Sequence, residues 1–368
     1  MRKSLFIMLL GLTLIPAVAR ASEWYEKIKF KADFRHRHEL IQLEENEDRT
    51  RWRLRLRLSL TGNITDDWSV HARFATGSSD PLSTNQTMDG GFSTKGLNLD
   101  RAYFDFHPQA IKGLNIIGGK IKLPFIRMEK TELIWDGDLN PEGAAAMYNR
   151  KATNEIAIML NTAFLYIEER KSDDDTWMAG IQGAVKANPN EELHFIAGGG
   201  YFDYENVKGM KGIYDAEKFA GNTHVATSTG DDTFQVYDRD YNLAEAFGEI
   251  GFKREQVSVK VYGNFVNNID ADSLGVGWLA GSTFKYGKNK GHVKLYANWR
   301  ELEENAVIGA STDSDFIGGG TNGKGLEVGM GYGITKNVDF AVTYFFNKQG
   351  IEEEGDYKRL QVDLKAKF

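Results

Sequence analysis

Alternation of apolar and polar residues is the dominant pattern of this chain, and its last ten residues show it most simply. From Arg359 to Phe368 every even position is apolar and every odd position is polar or charged. A period of two places these side chains on opposite faces of a β-strand. A strand at a chain end frays unless it is paired. The pattern therefore predicts a last strand paired on both sides, as in a closed barrel, with an ordinary strand of a soluble β-sandwich as the alternative.

The same alternation recurs along the chain and predicts sixteen strands. It is clearest at 50–61, where Trp52 and four leucines alternate with four arginines and a serine, and it is blurred at 142–150 and 154–168. The predicted strands are 27–39, 50–61, 68–74, 98–107, 114–122, 142–150, 154–168, 176–187, 193–203, 241–253, 257–267, 275–286, 291–302, 323–334, 338–347 and 357–368.

The connections between these strands alternate in length. Seven are short and eight are longer or more polar, with the longest at 204–240. Outer-membrane barrels place short turns on one side of the membrane and long loops on the other. The pattern predicts an all-β fold, a transmembrane antiparallel up-and-down β-barrel of sixteen strands, and a barrel of that size leaves an aqueous channel.

The amino-terminal residues predict export. Arg2 and Lys3 precede an apolar stretch from Leu5 to Ile15, and Ala19-Arg20-Ala21 has the form of a cleavage site. These features predict a signal peptide at 1–21 and a barrel domain at 22–368. An uncleaved anchor is the alternative, which the short apolar stretch disfavours. No later run of 18 apolar residues predicts a transmembrane helix.

Composition agrees with an exported barrel. Cysteine is absent, glycine (39) and aromatic residues (12%) are plentiful, and proline (6) is scarce. Glycine allows strands to bend, aromatic residues suit the membrane interfaces, and proline is disfavoured because it lacks the amide hydrogen that a β-ladder requires. Removing residues 1–21 takes away Arg2, Lys3 and Arg20 and changes the net charge from −7 to −10. An acidic chain argues against nucleic acid as a partner.

Three segments carry a resemblance to known families. The last strand resembles the assembly signal of Gram-negative outer-membrane barrels, which ends in an aromatic residue; its residues here are Leu360, Val362, Leu364 and Phe368. The segments 118–125 (GGKIKLPF) and 133–143 (LIWDGDLNPEG) resemble the putative porin family. The resemblance implies a porin of the cell outer membrane that passes small hydrophilic solutes and ions passively. It also implies a homotrimer, contacts with outer-membrane lipid and lipopolysaccharide, and recognition by the barrel assembly machinery.

The resemblance also implies a constriction. The third long loop of general porins folds into the barrel, and here that loop is 123–141, which carries Glu129, Glu132, Asp136 and Asp138. The basic wall expected opposite them comprises Arg35, Arg37, Arg51, Arg53, Arg55 and Arg57, with Arg101, Lys120 and Lys122 on inward positions of neighbouring strands. We expect Arg53 and Arg55 at the narrowest part. The alternative for the basic residues is a charged lining that only keeps the channel filled with water. The alternative for the acidic residues is an ordinary solvent-exposed loop.

Other functions have less support in the sequence. The seven histidines lack zinc-ligand spacing, and no nucleophile motif or phosphate loop is present, so we expect no enzyme activity, no metal and no cofactor. Two other functions stay open: a solute-selective channel, for instance for anions such as phosphate, and a structural or adhesive barrel acting through 204–240. The blurred alternation at 142–168 would suit a wall buried against another subunit.

Overall fold

The computed structural model describes residues 27–44, 46–230, 232–352 and 355–368, and the predicted signal peptide lies outside them. Its strands, in chain order, are β1 (Ile28–Leu43), β2 (Arg49–Asn63), β3 (Trp68–Thr76), β4 (Gln86–Thr87), β5 (Leu97–Phe106), β6 (Leu114–Lys120), β7 (Glu142–Lys151), β8 (Ile156–Glu168), β9 (Thr176–Ala187), β10 (Leu193–Glu205), β11 (His224–Thr229), β12 (Asp232–Tyr237), β13 (Tyr241–Arg254), β14 (Val257–Asn268), β15 (Val276–Tyr286), β16 (Val293–Leu302), β17 (Gly323–Gly333), β18 (Val338–Gln349) and β19 (Gly355–Lys367).

Sixteen of these strands in the described residues form one closed antiparallel barrel, which confirms the predicted fold class and strand number. The other three were not predicted because they are short. β4 is a two-residue strand beside β2, and β11 and β12 form a separate hairpin in the 204–240 connection. No helix among the described residues is long and apolar enough to cross a membrane.

The barrel closes between its first and last strands. β1 and β19 are paired antiparallel from Asp33 with Lys367 to Leu43 with Tyr357. The Ala32 amide donates to the Phe368 carbonyl at 2.7 Å, and the Phe368 amide donates back at 3.0 Å. Since β19 also pairs with β18, the predicted last strand with partners on both sides is confirmed.

Side-chain exposure in the barrel wall is the reverse of that in a soluble protein. On β1 the outward Phe34 is 39% exposed, whereas the inward Arg37 is 4% exposed. The same holds on β14, where the outward Val261 is 58% exposed and the inward Asn264 is buried. An apolar outer surface suits contact with lipid, and the polar side chains lie inside the barrel.

The inward faces of β7 and β8 explain why the alternation blurs there. Their inward positions include Ala145, Ala163 and Leu165, which are buried in one apolar cluster. The same cluster contains Phe125 and Trp135 from the connection between β6 and β7. Apolar residues therefore occupy both faces of these strands, and the packing of their inward face on the 121–141 segment is sufficient to remove the period of two.

We expect V261R to lower the free energy of unfolding by about 2–4 kcal/mol, because it places a cation against the hydrocarbon of the bilayer. The matched control is T343R, since Thr343 borders an inner cavity where water can solvate the charge. The measurement is urea unfolding of the refolded barrel in lipid vesicles, followed by tryptophan fluorescence. Equal losses for the two variants would show that the outward face of β14 does not meet lipid.

Candidate functional site

Two connecting segments bring charges to the inner wall of the barrel. One is the 121–141 segment between β6 and β7, and the other is the 303–322 segment between β16 and β17. Both pair with charged side chains on inward strand positions, and their contacts define the site.

The apolar side of the 121–141 segment is fixed to β9 and β10. The rings of Phe125 and Trp135 lie 4.8 and 5.5 Å from that of Phe202 on β10, measured between centroids. On β9, the Gln182 side chain accepts a hydrogen bond from the Ile126 amide at 2.6 Å and donates to its carbonyl at 3.1 Å. This side of the segment packs as a protein core does, which leaves its acidic residues directed to other strands.

Asp138 lies against the arginines of β2. Its carboxylate is 3.2 Å from Arg57 and 3.7 Å from Arg55, and it accepts hydrogen bonds from the amide and hydroxyl of Thr84. Burial opposes the ionisation of Asp138, but Arg55 and Arg57 outweigh it and lower the pKa of Asp138 to about 2. The carboxylate is therefore charged at neutral pH.

Glu129 lies against lysines of three other strands. Its carboxylate is 2.7 Å from Lys260 on β14, 3.2 Å from Lys285 on β15 and 3.8 Å from Lys294 on β16. Burial opposes its ionisation, yet these lysines lower the pKa of Glu129 to about 2. The 121–141 segment is thus bound to β14–β16 through Glu129 and to β2 through Asp138.

The 303–322 segment, a long connection that the sequence analysis did not single out, supplies a second set of acids. Asp315 is 2.7 Å from Arg359 on β19 and 3.3 Å from Arg37 on β1, and these arginines lower its pKa although burial opposes this. Asp313 pairs with Arg300 at 2.9 Å. The sequence signal that could have found these residues is the excess of inward arginines over inward acids on the strands themselves.

The two segments are joined to each other. The Asp136 amide donates to the Ser311 carbonyl at 2.8 Å, and the Asp136 carboxylate accepts from the Ser314 amide at 3.0 Å. The Ser311 hydroxyl also donates to the Ile134 carbonyl at 3.2 Å. Their positions are therefore interdependent.

Glu39 on β1 is a residue that sequence reasoning missed. It is fully buried and binds four arginines: Arg51 at 2.5 Å, Arg359 at 2.8 Å, Arg37 at 3.3 Å and Arg53 at 3.7 Å. Arg53, expected at the narrowest part, is held here and by the Ser83 hydroxyl at 3.2 Å. Arg55 instead borders an inner cavity.

The other residues expected in the basic wall, Arg101, Lys120 and Lys122, do not all lie on it. Arg101 donates to the Asn140 side chain at 2.5 Å and borders the same cavity as Arg55. Lys120 is opposite Glu142 in the ladder and pairs with it at 3.0 Å, on the outward face that also carries Gly118 and Ile116. The structure therefore does not bring Lys120 to the arginine wall, contrary to expectation. Lys122, just beyond β6, is exposed.

Three carboxylates come close enough to share a cation. Carboxylate oxygens of Glu132, Asp136 and Asp313 lie within 4.8 Å of one another, and such oxygens are the ligands that Ca²⁺ prefers. However, Asp136 accepts from two backbone amides and Asp313 accepts from Arg300. Burial and the neighbouring carboxylates raise the pKa of Glu132 and Asp136 well above their usual range. Hydrogen bonds within the chain thus already occupy oxygens of Asp136 and Asp313, and the raised pKa values favour the protonated forms of Glu132 and Asp136.

Two cavities lie beside these charges. The larger, of about 450 Å³, is bordered by Glu129, Lys294, Arg300 and Glu327. The smaller, of about 400 Å³, is bordered by Arg35, Arg55, Arg57, Arg101 and Asp138. Each has basic and acidic groups on its walls, so polar and charged solutes suit both better than apolar ones.

A closed sixteen-strand barrel with an apolar outer surface and a charged, cavity-bearing interior defines an outer-membrane channel of the porin class. The family described as Putative porin matches residues 40–245 and 243–368, so the chain belongs to the putative porin family. It is a protein of the cell outer membrane, and its class is a channel for passive diffusion of small hydrophilic solutes rather than an enzyme.

Solved structures agree with this fold. The chain is similar to OprB of Pseudomonas putida, with a TM-score of 0.61 and 10% identity over 95% of this chain and 96% of that one. It is also similar to the channel DcaP of Acinetobacter baumannii, with a TM-score of 0.52 and 12% identity over 93% and 97% of the two chains. These identities establish the fold alone. A comparison with curated proteins finds no match.

We expect E129Q channels to show larger current fluctuations at pH 7 than wild-type channels, because the variant weakens the pairing of the 121–141 segment with Lys260 and Lys285. In the wild type the pKa values of Glu129 and Asp138 are depressed. Their stabilisation is therefore complete above about pH 5 and is lost as pH falls towards about 2.

Single-channel recording between pH 7 and 2 measures the effect of E129Q and the pH dependence of the wild-type current. Fluctuations of the wild-type current should grow only below about pH 5. E142Q, which changes an exposed outward carboxylate, should behave as the wild type does. Identical traces for E129Q and wild type at pH 7 would show that Glu129 does not hold the segment.

Proposed function

We propose that the chain is a passive porin whose channel is narrowed by the 121–141 segment folded into the barrel. The supporting observation is that Asp138 pairs with β2 while Glu129, nine residues earlier, pairs with β14. Eight barrel strands separate β2 from β14 in one direction and six in the other. A short segment bound to nearly opposite walls narrows the aqueous path between them.

The charges around this constriction favour hydrophilic solutes. Basic side chains of β1, β2, β3 and β5 face Asp138 and Asp315 across the smaller cavity. Opposed charges between walls of low dielectric set up a transverse field that orders water and orients dipoles. A channel lined in this way selects by diameter and by charge, so polar solutes pass more easily than apolar ones.

A structural or adhesive role through 204–240 has less support. The side chain of Asn222 in that connection donates to the carbonyls of Glu304 and Val307 at 2.6 and 2.8 Å, and accepts from the Gly309 amide at 2.8 Å. Phe219 and Tyr237 are buried against the rest of the protein. This connection is packed onto the 303–322 segment, which suits a cover of the channel mouth better than a projecting adhesive loop.

We include a homotrimer in the proposal. On the outward face of β1, His36 stacks against Trp52 of β2 with ring centroids 5.1 Å apart, and the His38 ring contacts Trp52 in a tilted arrangement at 4.5 Å. Polar side chains are costly in contact with hydrocarbon, and a second copy of the chain would cover them. Cross-linking in membranes should yield trimers; monomers alone would count against this assembly.

Two partners remain part of the proposal. The outward residues Leu360, Val362, Leu364 and Phe368 of the last strand would be read by the barrel assembly machinery, as the resemblance implies. Lipopolysaccharide would contact the outer loops.

The test is the current through a planar bilayer after addition of the refolded protein, with a salt gradient across it. We expect stepwise ohmic conductance. The anion-to-cation permeability ratio should fall about threefold in R55Q/R57Q, because removing lumen cations changes the local potential by on the order of 1 kT. R254Q is the control for loss of an arginine outside the constriction, since Arg254 is the last residue of β13 and is exposed.

Absence of conductance from a folded barrel would contradict the channel. An unchanged reversal potential in R55Q/R57Q, with conductance intact, would contradict the assigned constriction alone.

A further inference from the structure

The smaller cavity contains arginines that differ in how their charge is neutralised. Arg55 and Arg57 pair with Asp33 at 3.1 and 2.9 Å and also with Asp138. Arg73 pairs with Asp100. These three side chains have carboxylate partners and contribute little net charge to the cavity.

Arg35 and Arg101 have no such partner among the described residues. Arg35 donates to the Asn85 side-chain oxygen at 2.5 Å, and Arg101 donates to the Asn140 side-chain oxygen at 2.5 Å. A neutral amide oxygen accepts a hydrogen bond but does not compensate a cation. No carboxylate lies within 4.0 Å of either guanidinium in the part of the chain that the structure describes.

Arg35 is also incompletely hydrogen-bonded. It is 9% exposed, and its Nε is buried without a partner. A buried, charged donor without an acceptor is costly unless a partner arrives. The acids nearby already have partners of their own. Asp363 is bound by Arg37 and Lys365, Asp138 by Arg55, Arg57 and Thr84, and Asp315 by Arg359, Arg37 and Gln361.

We propose that Arg35 and Arg101 form a binding subsite for the oxyanion group of a small solute, a carboxylate or a phosphate, on the path through the channel. This inference rests on the proposed function, since it places the subsite within the pore. A guanidinium presents its donors as a planar fork that matches the paired oxygens of a carboxylate or phosphate. A cavity of about 400 Å³ has the size of a small-ligand site.

The charge pattern defines the solute class. Neither Arg35 nor Arg101 has a carboxylate within 4.0 Å among the described residues, and Lys130 adds a further cation to the cavity wall. The acids of that wall already have partners: Asp138 and Asp315 pair with arginines, Glu132 lies 3.7 Å from Arg127, and Asp136 accepts from two backbone amides. The subsite therefore favours small organic acids and phosphate over cations, and over chloride, which cannot accept two parallel hydrogen bonds as paired oxygens do. Weak binding of this kind raises the local concentration of the solute and still lets it leave.

The experiment is block of the KCl current through single wild-type channels by sodium phosphate, sodium succinate or sodium acetate, each added alone. We expect phosphate or a carboxylate to reduce the current, and the half-blocking concentration to rise about tenfold or more in R35Q/R101Q. K186Q is the control for loss of a positive charge elsewhere in the barrel interior, since it removes one charge from an inward position of β9. Its half-blocking concentration should equal that of the wild type.

R35K/R101K separates shape recognition from charge. Lysine keeps the charge and lacks the planar fork. We therefore expect the half-blocking concentration of R35K/R101K to lie between that of the wild type and that of R35Q/R101Q. Block by phosphate alone or by carboxylates alone would identify which oxyanion the subsite takes, and either result supports it.

Two results would overturn the subsite: wild-type channels that conduct KCl but are not blocked by any of the three anions, or equal half-blocking concentrations in wild type and R35Q/R101Q. Either result would reject the subsite and leave the proposed channel intact. Absence of ohmic conductance steps would instead contradict the proposed function. Calorimetric titration of the folded wild type and R35Q/R101Q in detergent with succinate and with phosphate gives an independent reading. Equal heats from the two proteins would also reject the subsite.

Discussion

Closure of the backbone ladder between β1 and β19 is the constraint on which the rest of the structure depends. In a bilayer every amide and carbonyl must find a partner within the protein, because hydrocarbon offers none. The mutual hydrogen bonds of Ala32 and Phe368 and the eleven register pairs that follow them remove the last free edge. The two strands farthest apart in sequence are therefore neighbours, and only a closed ring can turn its apolar face to lipid and enclose a polar interior.

The polar interior creates a second requirement, which the connecting segments satisfy. Pairing of β1 with β2 sets Arg35 directly opposite Arg55 and Arg37 opposite Arg53. Like charges directly opposite each other destabilise a sheet. Asp33 and Glu39 compensate part of this charge from within β1, and Asp138 and Asp315 compensate more from the 121–141 and 303–322 segments. The same pairs that relieve repulsion in the wall hold these segments against it. The two arginines without a paired carboxylate among the described residues define the proposed oxyanion subsite.

The strands could be predicted because a period of two is a local property of a wall with lipid on one side and water on the other. All sixteen barrel strands were predicted on this basis. The prediction weakened where the inward face packs on protein: β7 and β8 have apolar residues on both faces because Phe125 and Trp135 cover their inner side. Lys120 was assigned to the wrong face for the same reason, since the buried Ile117 and Ile121 beside it point inward and not to lipid. The short β4 and the β11–β12 hairpin carry too few residues to show a period.

The sequence by itself determined the class of fold, the number of barrel strands and the basic character of β1 and β2, because each depends on residues adjacent in one strand. It also identified the acidic residues of the 121–141 segment. Only the tertiary structure decided which acid meets which arginine and that Glu39 and Asp315 belong to the charged interior. It also decided that Arg35 and Arg101 have no carboxylate partner among the residues that the structure describes. These depend on strand register around a closed ring and on contacts between segments more than 150 residues apart, such as Asp136 with Ser311 and Ser314, and no local pattern in the sequence contains that information.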